Sequence, residues 1–224
     1  MNLLIAAIAP VLAIILYIYC KDEYEKEPRR LLLYNFLLGA IISILVATVL
    51  YYGSDAIITL DDDYSIIQQF FKAFFVVAII EEFSKYIIVR YFAQPNKEFN
   101  EPYDGIIYAV MVSMGFAATE NIMYVMEGGY QVALLRAFTA VPAHATFAVL
   151  MGYFMGKAKF AKHPSKYNLL GLFLAVLFHG AYDFFLFIDF IPGIWLGALA
   201  SLFLGLFLSA RAIKAHQKKS RFHV

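Results

Sequence analysis

Charge is scarce in this chain. Asp, Glu, Lys and Arg make up 16% of its 224 residues, against 62% that are hydrophobic, where a soluble domain carries about 25% and roughly 45–50%. Disorder is excluded, because disordered chains combine low hydrophobicity with high net charge. A soluble fold is excluded as well: mean hydropathy is +0.70, and so few charges cannot solvate that much apolar surface. The 18 basic and 17 acidic residues nearly cancel, to a net +1, so overall charge gives no reason to expect a nucleic-acid partner. One cysteine, Cys20, excludes an intrachain disulfide and any cysteine-built metal cage. What remains is an integral membrane protein whose first partner is the lipid bilayer.

A spanning helix needs about 20 predominantly apolar residues. Seven stretches qualify: Asn2–Cys20, Leu31–Tyr52, Ile66–Arg90, Tyr103–Met126, Tyr130–Gly156, Asn168–Phe187 and Pro192–Ala210. The connections between them are too short to fold separately, which predicts an all-α polytopic protein with one membrane-embedded domain over 1–224. The first stretch lacks a basic leader and its charges follow the apolar run, so it reads as a retained helix rather than a signal peptide. Four Lys or Arg lie in 21–30, four in 157–167 and five in the tail 211–224, while 53–65, 127–129 and 188–191 carry none. Loop 91–102 contributes Lys97 beside Arg90. Basic loops mark the cytoplasmic side, so the alternation predicts seven crossings, N-terminus out and C-terminus in, with 211–224 a basic cytoplasmic tail.

Several features have plain readings. Gly152-x-x-x-Gly156 and Gly193-x-x-x-Gly197 let helices approach closely. Lys72 and Arg136 lie a turn or two inside a boundary, where long side chains snorkel. Asp104 and Arg90 sit at inner boundaries, where charge costs little.

Setting these aside leaves Glu81, Glu82 and Lys85 in the third span, Glu120 in the fourth, His144 in the fifth, and His179 and Asp183 in the sixth. A charge at mid-membrane costs roughly 2.5–3.5 kcal/mol on insertion scales. Four or five unpaired ones would cost on the order of 10 kcal/mol, comparable to the stability of a domain. These residues must therefore turn inward and meet. Glu81 and Lys85 are four apart on one helix face, and so are His179 and Asp183, which lets the carboxylate fix the imidazole tautomer. Pro142, two residues before His144, removes a helical hydrogen bond and is expected to open backbone there.

Three chemistries suit this set: hydrolysis by a water that a desolvated carboxylate activates, a zinc site built from His and carboxylate, or a proton or ion relay. A non-catalytic scaffold that keeps the cluster for assembly is a fourth reading. There is no His-Glu-x-x-His and no Gly-x-Ser-x-Gly. Tyr103-Asp104 and Tyr182-Asp183 lack the Gly-x-Gly-Asp partner of aspartyl intramembrane proteases.

Glu81-Glu82-Phe-Ser-Lys85, Phe116-Ala-Ala-Thr-Glu120, His144 eight residues before Gly152, and His179-Gly-Ala-Tyr-Asp183 resemble, in order, the motifs of the PrsW family. These are bacterial intramembrane proteases related to the type II CAAX prenyl endopeptidases. The motifs cover roughly residues 66–187. The resemblance implies a multi-pass protease of the bacterial cell membrane that makes the first, extracytoplasmic-side cut in a single-span anti-sigma factor. Further proteolysis then frees an alternative sigma factor in an envelope-stress response. It also implies a glutamate-dependent mechanism resting on Glu81, Glu82, His144 and His179, with Lys85, Glu120 and Asp183 in support. No cofactor is expected; were zinc bound, Glu81, Glu82, His144 and His179 would hold it. Glu120 departs from the CAAX enzymes, which have histidine at that motif position. The residues suggest Glu81 as base, Glu82 and Lys85 setting its charge, His144 sharing the proton, and His179, oriented by Asp183, donating to the oxyanion; Glu81 and Glu82, adjacent acids that titrate as a pair, can exchange these roles.

Overall fold

A computed structural model describes residues 2–220, and all regular structure among them is helical. Seven rods follow in order: α1 (Leu3–Lys21), α2 (Arg29–Asp55), α3 (66–93), α4 (Asp104–Phe138), α5 (Ala140–Lys159), α6 (Pro164–Phe187) and α7 (Leu196–Gln217). Asn2 caps α1, its side chain accepting from the Leu4 amide at 3.0 Å. Both α2 and α3 are interrupted by wider π turns, at Leu38–Ser43 in the first and at Lys72–Ala78 and Val89–Ala93 in the second. Such turns recur at functional sites.

Five stretches are long and apolar enough to cross a membrane: Leu3–Lys21, Arg29–Asp55, Asp104–Lys159, Pro164–Phe187 and Leu196–Gln217. The third is 56 residues long, about 84 Å if straight at 1.5 Å per residue, far more than a bilayer core of about 30 Å. It is broken twice, at Gly129, where φ is 69°, and at Thr139, where φ is −124° and ψ −81°. Segment 66–93 is not among the five. It carries Glu81, Glu82 and Lys85 at its centre, together with Lys72 and Arg90.

The expected fifth span therefore changes. Tyr130 does not begin it; 130–138 is a short separate helix, made possible by a glycine in the left-handed region that L side chains avoid, and α5 begins at Ala140. Pro142 then falls in the first turn of α5, where no intrahelical N–H is owed, so it breaks no bond. The last helix starts at Leu196 rather than Pro192 and continues to Gln217, absorbing the start of the expected tail; residues 221–224 lie outside the described ones. Gly193, with φ 81°, belongs to the turn before α7 and meets no neighbour, so of that glycine pair only Gly197 packs.

α4 is the hub, packed against α1, α2 and α5, and its residues Asp104–Ala118 are buried without interruption. Glycines set the spacing: a methyl on Gly105 would overlap Gly152 and Gly156 of α5, and one on Gly39 or Gly115 would overlap the facing α2–α4 backbone. Long apolar side chains on the outer faces, such as Leu16, Val49, Leu134 and Phe203, are exposed, as a lipid-facing surface requires.

The end of the molecule with the basic loops holds a second polar network. Asp104 is not a tolerated boundary charge but is buried, its Oδ2 accepting from the Asn100 and Glu101 amides at 2.6 and 2.7 Å. Tyr108 donates to buried Glu27, which also bonds Asp104. Burial first, and the neighbouring Asp104 charge second, push the Glu27 carboxyl well above the usual range, and burial lifts Asp22 to about 6.

Candidate active site

α3 brings Glu81, Glu82 and Lys85 to the middle of the molecule immediately after a π turn. Ser84 anchors that stretch: its hydroxyl donates to the Glu81 carbonyl at 2.7 Å and lies 2.8 Å from Ser43 Oγ of α2. Glu82 is 0% exposed and Lys85 1%. The Lys85 ammonium lies 2.7 Å from Glu82 Oε1, 3.4 Å from Glu81 Oε2 and 3.4 Å from His144 Nδ1. Its charge also rests 4.2 Å from the Phe116 ring centroid.

The two histidines come from neighbouring helices and differ in surroundings. His144, in the second turn of α5, has Nε2 2.9 Å from Glu120 Oε2 of α4. The lysine is a donor only, so Nδ1 accepts and Nε2 carries the proton. His179, on α6, has Nδ1 2.8 Å from Glu82 Oε1 and Nε2 3.2 Å from Asp183 Oδ2 and 4.0 Å from Glu81 Oε2. With a carboxylate on each nitrogen, both are set up as donors. The ring stacks on Phe147, centroids 4.9 Å apart and planes inclined 16°. All seven candidates thus meet across α3, α4, α5 and α6.

They line or underlie one cavity of about 710 Å³ that opens toward the end of the molecule with the acidic loops. Glu81, Glu120, His144, His179 and Asp183 face it, while Glu82 and Lys85 sit behind its wall. The remaining lining is mostly apolar and aromatic, including Ala47, Phe116, Ala143 and Phe187, with Thr48, Glu127, Arg136 and Thr139 the polar exceptions besides Tyr51.

Two residues here are not among the site candidates that the sequence offers. Tyr51 of α2 donates to Glu81 Oε1 at 3.1 Å; nothing in its neighbourhood of apolar and aromatic residues sets it apart from the other 15 tyrosines. Arg136, read as a snorkelling charge, instead turns inward and meets Glu120 Oε2 at 2.7 Å. Its depth in an apolar stretch opposite Glu120 was the available signal.

Two sets of three donors lie close enough to share an ion, Glu81–Glu120–His144 and Glu81–Glu82–His179, each with ligand atoms within 4.8 Å of one another. By donor type both suit zinc. By charge they do not, because the Lys85 ammonium already contacts Glu81, Glu82 and His144, and Arg136 already holds Glu120. A divalent ion on either set would face a fixed cation a few ångströms away. As arranged, these side chains do not fit a metal, and no step is routed through one.

A multi-pass helical membrane protein with acids and imidazoles buried around an apolar cavity defines a class, the membrane-embedded hydrolases. The comparisons narrow it: residues 27–211 match the family described as PrsW family intramembrane metalloprotease. The chain is 40% identical over 186 residues to Protease PrsW of Geobacillus kaustophilus, covering 83% of this chain and 80% of the relative. It is 37% identical over 183 residues to Protease PrsW of Bacillus subtilis, covering 81% of each, and 33% identical over 197 residues to that of Clostridioides difficile, covering 85% and 81%. The chain belongs to the PrsW family of intramembrane proteases and is a peptidase. No solved structure matches it.

Proposed function

We propose that this peptidase makes the first, extracytoplasmic-side cut in a single-span anti-sigma factor of a bacterial cell membrane, so that an alternative sigma factor is released under envelope stress. The observation that carries the reading is the cavity: its open end faces the loops without Lys or Arg, and its floor is Glu81. By the distribution of basic loops that end is extracytoplasmic, so a peptide entering from outside reaches the acid. On this reading α1 to α7 each cross once, α3 included, its charges satisfied by one another. The N-terminus is then outside, and 211–224 ends a single membrane domain on the cytoplasmic side.

The proposed chemistry begins with Glu81, which takes a proton from a water while that water's oxygen attacks the scissile carbonyl. In support, Glu81 faces the cavity whereas Glu82 is walled off between Lys85 and His179. Glu82 and Lys85 hold the charge behind it. His179 turns its Nε2 proton, 3.2 Å from Asp183 Oδ2, from that carboxylate to the developing oxyanion. Tyr51 donates to Glu81 and so holds the carboxylate that acts as base. Glu81, with His144 sharing the proton, returns it to the leaving amine. The apolar side chains around the cavity strengthen each of these interactions.

The test is cleavage of a reconstituted single-span anti-sigma substrate by purified protein, with Glu81→Gln and Glu82→Gln alongside. Loss of about 10²–10⁴-fold is expected in the first variant if it removes a general base. Full activity in Glu81→Gln with loss in Glu82→Gln reverses the assignment, and full activity in both ends the glutamate mechanism. Substrate-free proton flux into vesicles that needs Glu81, with no cleavage, points to a carrier; signalling that survives loss of both acids points to a scaffold.

A further inference from the structure

Arg136 stands on the short helix 130–138, between the left-handed Gly129 and the non-helical Thr139. That helix turns Tyr130, Leu134, Leu135 and Phe138 outward, with 50%, 66%, 64% and 74% of their surfaces exposed, and turns the arginine inward. Its guanidinium makes two bonds of 2.7 Å, Nη2 to Glu120 Oε2 and Nε to Asn121 Oδ1, and lies 4.2 Å from the Tyr124 ring centroid. Asn121 is itself pinned, its amide donating to the Ala7 carbonyl of α1 at 2.7 Å. The arrangement is a relay of fixed contacts from α1 through Asn121 and Arg136 to Glu120, and from the same Glu120 oxygen to His144 Nε2.

What this fixes is the proton on His144. With Lys85 donating to Nδ1, the ring needs an acceptor at Nε2, and Glu120 Oε2 is that acceptor. A carboxylate held only by the imidazole would be free to rotate or to draw a second proton onto it. The charges facing Glu120 from the packed elements are His144 on α5, Lys85 and Glu81 on α3, Asp183 on α6, and Arg136 on the short helix. Arg136 bridges Glu120 Oε2 and Asn121 Oδ1, which ties that carboxylate oxygen to the pinned Asn121 and offsets its charge.

We infer that Arg136 is a positioning residue for proteolysis: it aligns Glu120 so that His144 keeps Nε2 on that carboxylate and Nδ1 directed at the Lys85–Glu81 centre. The inference rests on the hydrolase reading above and assigns the lipid-exposed helix 130–138 as the mount of that alignment.

A mount that only completes the fold predicts something different from a positioning residue, and a double-mutant cycle separates them. Arg136→Gln, Glu120→Gln and the double variant are measured for kcat and KM on the reconstituted substrate, beside wild type and Arg136→Lys. Loss of a charged hydrogen bond at the transition state corresponds to roughly a ten- to hundredfold fall in kcat, with KM unchanged. The double variant is expected to be no slower than Glu120→Gln alone. Arg136→Lys, which keeps the charge but cannot bridge both acceptors, is expected to recover part of the loss. If Arg136→Gln does not purify folded, the same cycle is run with Arg136→Lys. Three results overturn the inference while leaving the protease reading intact: wild-type kcat in Arg136→Gln, a rise in KM alone, or an independent loss that multiplies that of Glu120→Gln. A wild type that cleaves nothing overturns both.

Discussion

Replacing Lys85 with methionine keeps the unbranched apolar stem of the side chain, one atom shorter, while deleting the ammonium common to Glu81, Glu82 and His144. Breaking a buried ion pair from one side costs about 3–5 kcal/mol, because the partner is left charged and dry. At about 2–4 °C per kcal/mol for a chain of this length, Lys85→Met is expected to melt roughly 6–20 °C below wild type. The deletion also frees the Glu81–Glu82–His179 donor set, while Arg136 still holds Glu120 of the other. Zinc is then expected to bind the variant and not the wild type. At a hundredfold excess over its dissociation constant it would return about 2.7 kcal/mol of the lost stability. The assay is a thermal melt in detergent with and without zinc, paired with metal analysis of both dialysed proteins. Wild-type cleavage is expected to survive a strong chelator. One zinc per wild-type chain, or a Lys85→Met that melts with wild type whether or not zinc is added, refutes the reasoning.

Three further outcomes follow from the geometry. Tyr51→Phe removes a donor 3.1 Å from Glu81 Oε1 and is expected to lower kcat by about tenfold or more, since hydrogen bonds to charged groups contribute about 1.5–3 kcal/mol; a wild-type kcat removes Tyr51 from the site. Gly152→Leu, whose side chain would meet the Gly105 carbonyl and Ile106 backbone, is expected to prevent recovery of a folded, monodisperse protein in detergent, and a variant that chromatographs and melts like wild type would contradict the packing. Asp22 is raised from 3.8 to about 6 and Glu27 is raised as well. The folded state therefore binds more protons than the unfolded one above about pH 4, and this contribution is full below that pH and lost as pH rises. Alkaline melts are expected to show falling stability, and Glu27→Gln to flatten the dependence; an unchanged slope argues against the buried carboxyl pair.

The membrane character, the helical class and the acids and imidazoles that converge were legible because burial of charge in an apolar run has few physical solutions. Glu81 and Lys85 could be paired on spacing alone, and so could His179 and Asp183. What escaped depended on tertiary placement. Tyr51 gains its meaning only from the packing of α2 on α3, and no periodicity announces it. Arg136 was misread because depth in a stretch says nothing of direction until the chain bends at Gly129. Asp104 looked like a boundary charge because the sequence does not show the 22–28 loop folding over it. The π turns were invisible for a related reason: one extra residue per turn leaves the composition of an apolar run unchanged.

The contacts among Gly39, Gly105, Gly115, Gly152 and Gly156 bring the backbones of α2, α4 and α5 together in the half of the molecule away from the cavity mouth. Such a molecule is built like tongs. One end is riveted by backbone against backbone, so relative movement of the helices is expected chiefly at the other. On the proposed reading, a substrate is then expected to enter between the tips and its products to leave by the same path.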